Sequence, residues 1–263
     1  MWRNKEKLYY NQKRAFPFGT YNGKIDKKII DKVFDFAYAM TLGKKGEFRR
    51  NRSGGIIQRS DLEIFINAFQ GKLGECAVYN KICTMLTPTI PRTNISSPDF
   101  KVAPLGKWDE FDLSIKDKFF SVKSTKHIGN LLLLEKNDWN TEANTQYEGF
   151  ILVRIAPKNN DKYIYTVFNY NIIDNLQTYL YTNQSATNPI KKLLKNFIDS
   201  YKWYYDIPGF ITNATFKNII KDGIYIDKGS MLQDYTHMDV NNYYIESGDM
   251  QKFEDFEKVF SFW

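Results

Sequence analysis

Residues 108–127, WDEFDLSIKDKFFSVKSTKH, set a carboxylate, two hydroxyls and an ammonium at alternate positions of two apolar-patterned runs. Phe111, Leu113 and Ile115 alternate with polar residues, and Asp117-Lys118 stands between two β-prone runs as a two-residue turn. That turn pairs Lys116 with Phe119, Ser114 with Ser121, and Asp112 with Lys123. Successive strand side chains point to opposite faces. Asp112, Ser114, Ser121 and Lys123 therefore share one face, and Leu113, Ile115, Phe120 and Val122 share the other. A carboxylate there can anchor a hard divalent cation, while the ammonium can orient or help deprotonate a water and offset charge on a phosphate. That chemistry is metal-assisted hydrolysis. A plain cross-strand Asp–Lys pair, worth about 0.2–1 kcal/mol, fits the same residues, so the flanking sequence has to decide.

The elements that must position this face can be traced along the chain. Ile29, Ile30, Val33, Phe34, Phe36 and Ala37 give residues 26–42 the apolar face of a helix. Residues 43–59 follow as a basic, glycine-containing loop carrying Lys44, Lys45, Arg49, Arg50, Arg52 and Arg59, a pattern suited to phosphate contacts. Ser60 and Glu63 form a capping box for a second helix. Gly71 and Gly74 are expected to interrupt or bend it before Glu75 resumes the helical pattern to about Leu86, and Pro88 and Pro91 end it. Residues 131–134 read as a short strand or a buried helical turn. The apolar run 150–155 reads as a central strand, and 163–168 as a further β-rich run. Asn188 and Pro189 open a last clear helix, with Lys191, Lys192 and Lys195 on its solvated face and Pro208-Gly209 as its stop.

At 263 residues, 43% of them hydrophobic and 25% charged, the chain suits one large domain with a substantial core. No apolar run reaches the roughly 18–20 residues that span a bilayer, and no signal peptide is visible, so a cytoplasmic protein without membrane contact is expected. Cys76 and Cys83, seven residues apart on one helix, would lie about 10 Å apart, too far for a disulfide. The two histidines and two cysteines have no ligand spacing for zinc, and no glycine-rich phosphate loop follows a strand. The formal charge of +7 favours a polyanionic partner.

A helix with an acid, then a strand with Asp, then a strand ending in x-x-Lys is an order that resembles the PD-(D/E)XK nuclease superfamily, and within it a type II restriction endonuclease. The resemblance covers roughly residues 60–155, with Asp112 as metal-binding aspartate, Lys123 as the lysine, and Glu75 in Gly74-Glu75-x-Ala77-Val78 as the helix acid. It implies an α/β fold: a restriction-endonuclease-like core of mixed central β-sheet flanked by helices, with additional helical segments. A single nuclease domain over 1–263 is implied, with a core at about 60–170, an N-terminal helical and basic-loop segment at 1–59, and a helical extension at about 188–263. The implied activity is Mg²⁺-dependent, sequence-specific cleavage of double-stranded DNA by a homodimer. Asp112, Glu75 and the Val122 carbonyl would hold the metal, and Lys126 and His127 would join the basic loop at the DNA. Two positions depart from the pattern. Ser121 stands where the superfamily carries an acid, so the second carboxylate comes from elsewhere, Glu75 or alternatively Glu135. Pro98-Asp99 also spells the motif, which leaves Asp99 as an alternative to Asp112. A repair nuclease of the same superfamily and a non-catalytic DNA-binding protein are the competing expectations.

Overall fold

The computed structural model describes residues 23–43, 45–46, 50, 58–104, 111–126, 129–139, 146–159, 162–163, 172–183, 189–232 and 236–261. Lys44, Arg49, Arg52, His127, Asn188 and residues 164–168 lie outside them. In chain order the elements are β1 (Gly23–Lys24), α1 (Lys27–Met40), α2 (Asp61–Leu86), β2 (Leu113–Ile115), β3 (Lys118–Lys126), β4 (Leu131–Glu135), β5 (Tyr147–Asn159) and β6 (Lys162–Tyr163). There follow α3 (Ile172–Asn183), α4 (Ile190–Asp199), β7 (Lys202–Thr212), α5 (Asn213–Lys221), β8 (Tyr225–Ile226), β9 (Met231–Leu232), β10 (Thr236–His237), β11 (Asn242–Glu246) and α6 (Phe256–Phe260).

The fold is α/β. A six-stranded sheet runs β1-β7-β5-β3-β2, with β6 attached to β5. It is mixed, because β3 and β5 are parallel while the other pairings are antiparallel. β5 lies at its centre, as the apolar run predicts, and its alternation feeds two cores. Ile151, Val153 and Ile155 join α1, α2 and α4 on one face, while Phe150 and Leu152 join Trp139, α5, β4 and β11 on the other. Residues 188–263 are not the helical extension expected. β7 belongs to the central sheet, and β11 forms a second sheet between β4 and β8. The sheet therefore reaches beyond residue 170. Pro208-Gly209 lie inside β7 and not at a helix stop. Irregular β5–β7 pairing between Leu152 and Arg154 accommodates them, and at Gly209 the Gln251 carbonyl passes 2.6 Å from where a Cβ would stand.

The helix signals hold closely. Asp26 caps α1 by accepting the Lys28 N–H, and Ser60 caps α2 by accepting the Glu63 N–H at 3.1 Å. Pro189, not Asn188, occupies the capping position of α4. The α4 lysines do more than face solvent. Lys195 reaches Asp31 of α1 and Asp199 at 2.6 Å each, and Lys191 reaches Asp35 at 2.7 Å. Being partly exposed, such pairs contribute about 0–1 kcal/mol apiece.

α2 is continuous through Gly71 and Gly74, contrary to the expected interruption. Gly74 is instead a contact point: a Cβ there would come within 2.7 Å of Val153 Cγ1 and 2.9 Å of Ser124 Cβ. The absence of a side chain lets the helix lie directly on β3 and β5. A Cβ on Gly71 would meet nothing within 4 Å.

The two glycines should respond with opposite signs. Urea unfolding should show Gly71→Ala stabilising by about 0.5–1 kcal/mol through helix propensity. Gly74→Ala should destabilise by about 1–2 kcal/mol through overpacking. Equal stabilisation by both would remove the close-approach account. Deeper in the sheet, Arg154 of β5 and Asp206 of β7 form a bidentate pair, at most 2% exposed, with Nε–Oδ1 at 2.7 Å. Asp206→Ala should cost about 3–5 kcal/mol by removing the bidentate carboxylate from a buried guanidinium. A loss below about 1 kcal/mol would show that water reaches it.

Candidate active site

The hairpin forms, but its turn is Lys116-Asp117, with Lys116 at φ 52°, and not Asp117-Lys118. Ile115 pairs with Lys118, Ser114 with Phe119 and Leu113 with Phe120. The preceding segment fixes this register from the outer edge. Ile95 bridges Ile115, Lys116 N–H donates to the Asn94 carbonyl at 2.7 Å, and Ser96 N–H donates to the Ser114 carbonyl at 2.9 Å. The shift from the expected pairing is two residues, an even number, so the side chains within β2 and β3 keep their predicted alternation while their partners change. Asp112, in the bend before β2, is not held to that alternation and turns to the cavity on the α2 side, away from Lys123. Asp112 consequently stands level with Ser121, not opposite Lys123.

Asp112 lies in a bend just before β2, and its Oδ2 accepts the Val122 N–H at 2.7 Å and the Ser121 hydroxyl at 3.0 Å. Among the described residues, its Oδ1 accepts no hydrogen bond. Ser121 is 1% exposed, so its hydroxyl acts as a fixed donor within the sheet.

Asp112 and Glu75 line the same cavity, of about 350 Å³, against the apolar side chains of Phe36, Met40 and Ile64. Three cations complete it: Arg59, Lys72 and Lys101. Lys72 and Glu75 lie one turn apart on α2, with Nζ 2.5 Å from Oε2 and side chains only 8% and 14% exposed. Cys76, next to Glu75, is no competing nucleophile. Burial, with the Glu75 charge adding to it, pushes its thiol up to about 12.

Lys123 is not among the residues lining this cavity. α2 crosses β3 on the Ser124 face at Gly74, so its neighbour Lys123 projects from the opposite face, with Nζ 5.0 Å from the centroid of the Trp139 ring. Glu135 ends β4, its carbonyl accepting the Asp138 and Trp139 N–H groups, and does not line the cavity. Asp99 is exposed and accepts the Lys101 N–H at 2.8 Å, so the Pro98-Asp99 pair makes a turn that places Lys101 at the cavity. Val122 contributes a buried side chain to the core besides its N–H bond to Asp112.

Within the basic loop, Arg59 N–H donates to the Arg50 carbonyl at 3.1 Å. Arg50 also pairs with Asp61 at 3.4 Å, and Lys45 is exposed. Lys126 closes β3. Lys72 is the residue that motif spacing misses. The available signal was a lysine one helical turn from Ala68, Phe69 and Cys76, on the apolar side of α2, where a charge needs a partner. No helix among the described residues is long and apolar enough to cross a membrane. No protein-family model, curated protein or solved structure matches the chain.

Proposed function

We propose that the protein is a Mg²⁺-dependent, sequence-specific endonuclease of double-stranded DNA, of the type II restriction kind, with Asp112 and Glu75 as its metal-holding carboxylates. The observation that carries this reading is the shared cavity: an acid from the helix and an acid from the hairpin reach one space although 37 positions separate them in the chain.

The donor set suits Mg²⁺. Two carboxylates are as many as Mg²⁺ commonly takes from a protein, waters completing its shell. Bound there, the ion supplies an acidified water and a counter-charge for the phosphate. Asp112 and Glu75 would hold it. The Val122 N–H and the Ser121 hydroxyl fix Oδ2 of Asp112, which leaves Oδ1 for the ion, and the Val122 carbonyl is the further donor suggested by the sequence. Ser121 orients and does not attack, because its hydroxyl is buried and committed to Asp112. Arg59 and Lys101 give the cavity wall positive charge for phosphates. The basic segment 43–59, including Lys45 and Arg50, supplies backbone contacts and base readout. A homodimer would match a palindromic site.

Digestion of a long natural DNA with Mg²⁺ tests this reading. Discrete fragments are expected. A smear would mean a non-specific or repair-type nuclease, and intact DNA would leave a DNA-binding protein. Asp112→Ala and Glu75→Ala should each lower the cleavage rate by about 10²-fold or more while DNA binding persists. Undiminished cleavage in both variants would remove the site assignment.

A further inference from the structure

Resting on the nuclease reading, we infer that Lys72, supplied by the helix, is the ammonium of the Asp112–Glu75 centre, in place of the strand lysine that the motif order suggests. Its Nζ lies 2.5 Å from Glu75 Oε2, its side chain is 8% exposed, and it lines the same cavity as Asp112. The sheet's alternation excludes an equivalent placement for Lys123. With Gly74 resting on Ser124, the adjacent β3 side chain points away from α2 and lies over Trp139.

A purely structural ion pair, as Arg154–Asp206 is within the sheet, is the plain alternative, and location separates the two: Lys72 and Glu75 open on the cavity that Asp112 lines. The surroundings also suit a retained cation. The Phe36 ring centroid is 5.0 Å from Nζ, and Lys72 is the buried one of the three cations that line the cavity with Asp112 and Glu75. Lys72 thus does two things. It holds the Glu75 carboxylate in place before metal arrives, and it adds fixed positive charge where a scissile phosphate would gain negative charge.

These roles predict a pattern that a merely structural lysine would not give. In the full-length chain without DNA, Lys72→Met removes the charge that competes with a divalent ion for Glu75. Mn²⁺ should then bind at least about tenfold more tightly by calorimetry. Mg²⁺-dependent DNA cleavage by the same variant should fall by about 10²-fold or more. Lys72→Arg should restore cleavage to within about tenfold. Because Lys72→Met removes a buried ion-pair partner of Glu75, folding is checked by thermal melting, and Lys72→Gln provides a second neutral variant. Cleavage that survives in both neutral variants while Lys123→Met abolishes it would overturn the inference and leave the nuclease reading standing. Mn²⁺ affinity unchanged in both neutral variants would overturn it as well. A wild-type chain that neither binds Mn²⁺ nor cuts DNA would overturn both.

Discussion

The contact of α2 with β3 and β5 at Gly74 governs the arrangement of the candidate site. With no side chain at that position, the helix backbone rests on Ser124 and Val153, and the residues on either side of the contact are then fixed in place. Glu75, the next residue, is carried to the cavity, and Lys72 lies one turn earlier on the same helix. On the strand, contact through Ser124 commits Lys123 to the opposite face, beside Trp139. One close approach therefore sets which acid and which cation meet Asp112.

The second constraint is the carboxylate of Asp112 itself. Where β2 stops pairing, Oδ2 of Asp112 takes up the Val122 N–H and the Ser121 hydroxyl, so the end of the ladder is satisfied by a side chain. The serine that departs from the acid-bearing motif thus orients the acid that remains. The buried Arg154–Asp206 pair, one strand further in, stiffens the sheet at the irregular stretch of β5 and β7. Rigidity behind a site is what keeps a small set of ligands in working geometry.

Much of this was legible in the residues. The start of the first helix near residue 26, the cap at Ser60, the central strand at 150–155 and the alternation within β3 follow from local chemistry and period-two patterning. The hairpin's register was not, because two adjacent dipeptides can each form the turn. Pairing with residues 94–96, about twenty positions upstream, selects between them. Gly74 was legible as a glycine but not as a contact, since its partners Ser124 and Val153 are distant in sequence. Lys72 fell outside any strand motif, although a lysine on the apolar side of its helix already demanded a partner. The strands after residue 200 were missed for the reason that long-range pairing, not local propensity, makes them strands.

The central claim is that Asp112 and Glu75 serve one divalent ion, and affinity cleavage reads this directly. Fe²⁺ loaded in place of Mg²⁺, with ascorbate and peroxide, generates radicals that cut the polypeptide beside the bound metal. Cuts clustered near residues 72–75, 112 and 121–122, and suppressed by excess Mg²⁺, are the expected result. Cuts confined to other segments, or a pattern unaffected by Mg²⁺, would contradict a shared metal site.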